Sequence, residues 1–323
     1  MKLAWWFPGQ GSQEVGMGKD LVASSRAAKD VFDRADAALG EPLSRLILEG
    51  PEGELTLTAN AQPALVTMSI ATLAAIRERH PGAPPPLFAA GHSLGEYSAL
   101  VAAGALSLED AVRIVRARGR AMQSAVPQDQ GSMAAIIGID ASKLEELCNE
   151  ISRELGEVVS CANYNAPGQI VIAGTARAVT KASEVARERA KSEGNTRTSS
   201  IPLRVSAPFH CSLMRPAAET VARELEGVAI KPLSFPVVAN FDARPNTDPE
   251  RVKELLVRQV DGAVRWEQAV RHMADAGVSH AIEIGPGKVL AGLGKRIAKE
   301  TKVASVGDVA SLDALEAWLA GAA

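Results

Sequence analysis

The chain has 323 residues, 46% of them hydrophobic and 23% charged, with a formal net charge of -3 at pH 7; this suits a soluble globular protein with room for a main domain and a smaller inserted one. With no basic stripe to neutralise phosphates, nucleic acid is excluded as the principal partner. Cys148, Cys161 and Cys211 have neither paired metal spacing nor a disulfide framework, which points to a reducing compartment and to no metal centre.

In chain order, residues 3–7 read as a buried strand that reaches Pro8 too soon to be a signal peptide. No apolar run approaches membrane-spanning length, so the expectation is a cytoplasmic protein with no membrane partner. Pro8 to Gln13 is a glycine loop. It fails as a dinucleotide fingerprint, because the third glycine of G-x-G-x-x-G falls on Glu14 and no acidic residue ends a second strand about twenty residues on. Such a loop is better used to present backbone N–H groups beside another strand end. Helical patterns cover 25–39, closed by Gly40, and 63–79, with Pro63 in the first turn.

Residues 87–100 compress a strand, a turn and a helix. Gly91-His92-Ser93-Leu94-Gly95 has the G-x-S-x-G form of a nucleophile elbow, preceded by a short apolar strand and followed by a small-residue helix. Glycines on both flanks permit a sharp turn that lifts the Ser93 Oγ above the sheet edge and leaves the Leu94 N–H free to donate to an oxyanion. Ser107 opens the next helix in a form close to a capping box, and the helix runs to about 124. At about 100° per residue, Ala111, Val112, Ile114, Val115, Ala121 and Met122 define its apolar face, with Arg113, Arg116 and Arg120 opposite. Arg118 projects into the middle of that apolar face. Either it pairs with an interior carboxylate, or its guanidinium grips a carboxylate that arrives with the substrate.

Between 131 and 204 the pattern becomes strand 133–139, helix 142–155, strands 158–162 and 169–173, helix 175–192 and strand 196–205. This βαββαβ order is the ferredoxin-like split unit, here an insertion expected to form one wall of a cleft. The flanking segments, 1–130 and 205–323, form the α/β part with its parallel sheet. His210 stands where a strand gives way to a helix, the place where open α/β sheets put their sites, and is the candidate general base. His92 is locked in the elbow, His272 lies mid-helix and His280 begins a strand. A strand at 235–240 and a proline-rich loop lead to a helix ending near Gln259, whose last-turn carbonyl has no helical partner and is available to a histidine N–H. The turn at 285–288 has no P-loop spacing. A strand at 302–306 and a helix at 311–319 close the chain.

Taken in order, Phe7-Pro8-Gly9-Gln10-Gly11-Ser12-Gln13, Gly91-His92-Ser93-Leu94-Gly95-Glu96, Arg118-Gly119, Asn163-Tyr164-Asn165-Ala166-Pro167-Gly168-Gln169, His210-Cys211, Gln259 and Glu283-Ile284-Gly285-Pro286-Gly287 closely resemble malonyl-CoA:acyl carrier protein transacylases over essentially the full length. The resemblance implies an α/β-hydrolase-like large subdomain with a ferredoxin-like insertion and the active site in the groove between them. It implies Ser93 as the nucleophile that takes malonyl from the coenzyme A thioester, and His210 as its base, oriented by the Gln259 carbonyl. It implies an oxyanion hole from the N–H groups of Gln10 and Leu94, Arg118 as the carboxylate clamp, and Asn163 and His92 along the substrate. The acceptor would be the phosphopantetheine thiol of acyl carrier protein, with no metal or cofactor, and the enzyme a monomer.

Phe209 departs from the small residue common before the histidine in stand-alone members. It is similar to the phenylalanine of malonyl-selective acyltransferase domains in modular polyketide synthases, so both fatty acid and polyketide synthesis remain open. A ring there should fill the space that an α-methyl group needs. Three other readings fit the residues less well. A serine hydrolase would show Ser…Asp/Glu…His order and has no need of Arg118; an editing acyl hydrolase of this fold would need a neutral residue at 118; a non-catalytic docking module would not keep Ser93, His210 and Arg118 together.

Overall fold

The computed structural model describes residues 1–321 apart from Gln128, Arg204 and Ser206. The end of the strand expected at 196–205 therefore lies partly outside the described residues. Among those described, ten strands form two sheets. β1 (Leu3–Phe7) and β2 (Phe88–Gly91) belong to the larger one. β3 (Gly131–Ile137), β4 (Val159–Ala166), β5 (Gln169–Thr175) and β6 (Ser199–Pro202) make the smaller one. β7 (Val237–Val238), β8 (Pro245–Asn246), β9 (His280–Ile284) and β10 (Lys302–Val306) complete the larger. Its order is β10-β9-β1-β2-β7-β8, parallel except for the β7–β8 pair. The chain extends the sheet from β1 to one side and later returns to the other side, so the carboxyl ends of β1, β2 and β9 border the crevice where such sheets place ligands.

Every residue of β1 is buried. Leu3, Trp5 and Phe7 enter one core, which includes Leu65 and Met68 of the helix Thr58–Arg79; Ala4 and Trp6 enter another, with Trp266, Leu290 and Leu293. Covering both faces explains why the strand reads as an unbroken apolar run instead of an alternation. The smaller sheet, ordered β4-β5-β3-β6, is antiparallel throughout. Ala134, Ile136, Ile170 and Ile172 face the helices Ala141–Leu155 and Ala176–Ser192, while Met133, Ala135, Val171 and Ala173 join the main core. One face of the insertion thus becomes a wall of the site.

Several local readings need correction. The helix expected at 63–79 begins at Thr58 and contains Pro63, because Thr58, Ala61 and Gln62 are already buried and that packing outweighs the single lost N–H bond. At 22 residues it is long and apolar enough to cross a membrane, contrary to the expectation for this chain, but it spends that apolar surface inside the core. The Asn163–Ala166 segment continues β4 through two register shifts, where a loop was expected. The strand expected at 235–240 shrinks to two residues after Pro236, which has no N–H to donate. Arg116, placed on the solvated face, is buried and paired with Glu41 at 2.5 Å.

Candidate active site

The elbow forms because its glycines sit where no side chain fits. A Cβ on Gly91 would lie 2.0 Å from the carbonyl of Gly95, and one on Gly95 would lie 2.3 Å from the Phe7 oxygen. Between them Ser93 adopts φ 51°, and across the cleft His210 adopts φ 60°. Left-handed backbone at a non-glycine residue costs about 1–3 kcal/mol and persists only where neighbours over-determine it. At Ser93 the neighbours do so. Its N–H donates to Asn240 Oδ1 at 2.7 Å, its carbonyl accepts from Gln259 Nε2 at 2.9 Å, and Asn240 Nδ2 donates to the Gly91 carbonyl at 2.7 Å.

Ser93 Oγ lies 2.8 Å from His210 Nε2, and His210 Nδ1 lies 2.8 Å from the Gln259 carbonyl. A carbonyl only accepts, so Nδ1 carries the proton and Nε2 is left as the acceptor facing the serine hydroxyl. Burial pushes the His210 pKa down to about 3, the Arg118 guanidinium adds to the drop, and the Gln259 carbonyl opposes it. The imidazole is therefore a neutral base across the physiological range.

This depression has a consequence for stability. An unfolded His210 binds a proton near pH 6.5 and the folded one only near 3, so its contribution is complete above 6.5 and lost as pH falls. His210→Gln removes the effect and should gain on the parent by roughly 3 kcal/mol between pH 7 and 4. Denaturant titrations at the two pH values check this; parallel shifts of parent and variant would refute it.

Arg118 is the most consequential side chain here. The helix Leu108–Ser124, capped by Ser107, carries it inward to 1% exposure. Nη1 donates to Gln62 Oε1 at 2.7 Å, and Nη2 to Gln259 Oε1 at 2.9 Å and Ser93 Oγ at 3.0 Å. Among the described residues no carboxylate pairs with it directly, so the interior ion pair does not form. Its partners are neutral acceptors. The charge is held in place and left for an anion to neutralise.

A cavity of about 370 Å³ opens onto these groups. Gln10, His92, Ser93, Arg118, Asn163, Phe209 and His210 all line it. The larger part also supplies Gln62, Met122 and Leu293, and the smaller sheet supplies Met133, Asn165 and Val171. His92 bonds through Nε2 to Asn165 Oδ1 at 2.8 Å across the cleft. Leu94 and Gln259 do not line the cavity. The Leu94 N–H, like that of Gln10, makes no hydrogen bond within the protein among the described residues.

Residues 4–315 match the family described as acyl transferase domain. The malonyl CoA-acyl carrier protein transacylase of Bacillus subtilis is 49% identical over 97% of this chain and 95% of its own length. That of Escherichia coli K12 is 46% identical over 92% and 93%. The chain belongs to the malonyl CoA-acyl carrier protein transacylase family. A crystal structure of acyl-carrier-protein-S-malonyltransferase from Bartonella henselae superimposes with TM-score 0.92 at 45% identity, covering 99% of this chain and 100% of that one. A malonyl-transacylase solved in complex with a type II PKS acyl-carrier protein gives 0.91 at 42%, over 97% and 98%.

Four residues of this acyltransferase site carried no role in the sequence reading: Gln62, Asn165, Asn240 and Glu96. Gln62 stands out as a polar residue in an apolar helix, and Asn240 as the end of a predicted strand. Those were the available signals. For Asn165 and Glu96 only the motifs around them pointed to the site.

Proposed function

We propose that the protein moves a malonyl group from malonyl-CoA to the phosphopantetheine thiol of acyl carrier protein through a malonyl ester on Ser93. The observation that carries this reading is Arg118: a fully buried guanidinium, without a carboxylate partner among the described residues, 3.0 Å from the candidate nucleophile. A malonyl carboxylate on the serine ester would meet that donor pair and supply the missing charge.

His210 Nε2 takes the Ser93 proton as Oγ attacks the thioester carbonyl, and the Gln10 and Leu94 N–H groups receive the developing oxyanion. The C–S bond breaks, and the imidazolium returns the proton to the departing coenzyme A thiolate. In the second half-reaction the same base takes the carrier thiol proton, the thiolate attacks the ester, and Ser93 Oγ leaves with that proton. Side chains and backbone supply each step, so the mechanism calls for no metal and no cofactor. His92 and Asn163 border the acyl and pantetheine path. The solved complex of a relative with its carrier protein supports the acceptor class. We further propose a monomeric cytoplasmic enzyme, which sedimentation tests.

Incubation with labelled malonyl-CoA, denaturation and mapping of the label tests the central step. An alkali-labile ester on the peptide bearing Ser93 is expected; an unlabelled protein that only releases malonate would make it a hydrolase.

Phe209 is 8% exposed and borders the cavity one residue before His210. Phe209→Ser should raise methylmalonyl transfer relative to malonyl by opening space beside the acyl α-carbon. A methyl-sized change in an apolar pocket is worth about 1–3 kcal/mol, roughly 10- to 200-fold at best. Competition between the two thioesters measures it, and an unchanged ratio would mean that the ring does not face the α-carbon.

A further inference from the structure

Glu96 follows the elbow and is 2% exposed, yet it does not line the cavity and, among the described residues, makes no hydrogen bond to His210. One of its oxygens, Oε2, accepts two hydrogen bonds: from Gln259 Nε2 at 2.8 Å and from the Asn240 N–H at 2.9 Å. Gln259 passes the first of these on. Its Nε2 also donates to the Ser93 carbonyl, and its Oε1 accepts from Arg118 Nη2 at 2.9 Å. The result is a continuous carboxylate–amide–guanidinium chain, buried over its whole length, that ends on the group proposed to bind the substrate carboxylate.

We propose that Glu96 is a positioning residue for acyl-group selection, acting through the Gln259 amide to hold Arg118 in the orientation that receives the malonyl carboxylate. The inference rests on the reading of Arg118 given above. Three features support it. A glutamine side chain has free torsions, and the two bonds from Nε2 fix it at both of its donor hydrogens, leaving Oε1 aimed at Arg118. A carboxylate accepting from an amide N–H polarises that amide, which strengthens acceptance at its oxygen. Burial favours the neutral form and pushes the Glu96 carboxyl up to about 7; the Asn240 N–H and the Gln259 amide oppose this, as does the charge of Arg118, while Asp242 adds to the rise. Holding a carboxyl group there is unfavourable unless its bonds are used.

The test reads the malonyl-over-acetyl ratio of serine acylation, because acetyl has no carboxylate for Arg118. Loss of the Asn240 bond would disturb the elbow and slow both substrates, whereas loss of the Gln259 bond should act on the ratio. Glu96→Ala is expected to lower the ratio about tenfold or more, and Gln259→Ala, which keeps the backbone carbonyl on His210, by a similar factor. The double variant should be no worse in ratio than Gln259→Ala alone. Glu96→Gln should restore the ratio to within about threefold of the parent, since one amide oxygen can accept both bonds. Should Glu96→Ala fail to fold, Glu96→Asp, which withdraws the oxygen by one methylene, carries the same expectation. Equal losses for both acyl groups, or multiplying effects in the double variant, would overturn the proposal. A parent with no preference for malonyl would remove it together with the function it rests on, and that result appears before any variant is made.

Discussion

Ser93→Ala is expected to abolish malonyl-enzyme formation and lower transfer by roughly 10⁵- to 10⁶-fold, since both half-reactions pass through its ester. His210 Nε2 is bonded to Ser93 Oγ alone among the described residues. Ser12 and Thr56 also line the cavity, but the Thr56 hydroxyl bonds to the Gly53 carbonyl and no described histidine bonds to either. Among the described residues, no replacement nucleophile is therefore positioned. The fold should survive, because the backbone bonds to Asn240 and Gln259 do not involve the hydroxyl. Ser93→Gly sharpens the test: it removes the same nucleophile and also relieves the strain at φ 51°, so it should be as inactive as alanine and about 1 kcal/mol more stable than it. Mass spectrometry of the denatured proteins after exposure to malonyl-CoA, alongside melting curves, gives both readouts. A stoichiometric adduct on either variant would remove Ser93 from the mechanism.

Arg118→Ala separates this enzyme from a hydrolase of the same fold. In the parent the guanidinium would meet the malonyl carboxylate in a poorly solvated cavity, so removing it strands a buried anion. One-sided loss of such a pair costs on the order of 3–5 kcal/mol, or roughly 10²- to 10³-fold and more in malonyl kcat/KM. Acetyl-CoA makes no demand on the guanidinium and should be transferred by the variant as well as by the parent. The variant leaves the buried Gln62 Oε1 and Gln259 Oε1 without their donor, so some loss of stability is expected and the acyl ratio decides the test. If Arg118 were only a packing residue, the melting temperature would fall and both acyl groups would lose transfer alike. A constant malonyl-to-acetyl ratio with a lowered melting temperature would therefore defeat the carboxylate-clamp argument.

Sequence alone determined those features that depend on short-range pattern. The unbroken apolar run of β1, the G-x-S-x-G turn between a strand and a small-residue helix, and the single arginine set among apolar neighbours on the helix after Ser107 all follow from residue spacing. The open carbonyl at Gln259 follows from where a helix must stop. What only the tertiary structure decided lies between residues far apart in the chain. Asn240 meets Ser93 across 147 positions, Gln259 meets Glu96 across 163, and Gln62 meets Arg118 across 56. Local pattern marks Gln62 as polar in an apolar helix and Asn240 as a strand end, but it does not say which distant residue each will meet. The strain at Ser93 and His210 belongs to the same class, because a left-handed serine or histidine is unfavourable locally and exists here only because distant partners hold it. The reason is physical: periodicity reports which face of an element is buried, whereas hydrogen-bond partners are chosen after the elements have packed.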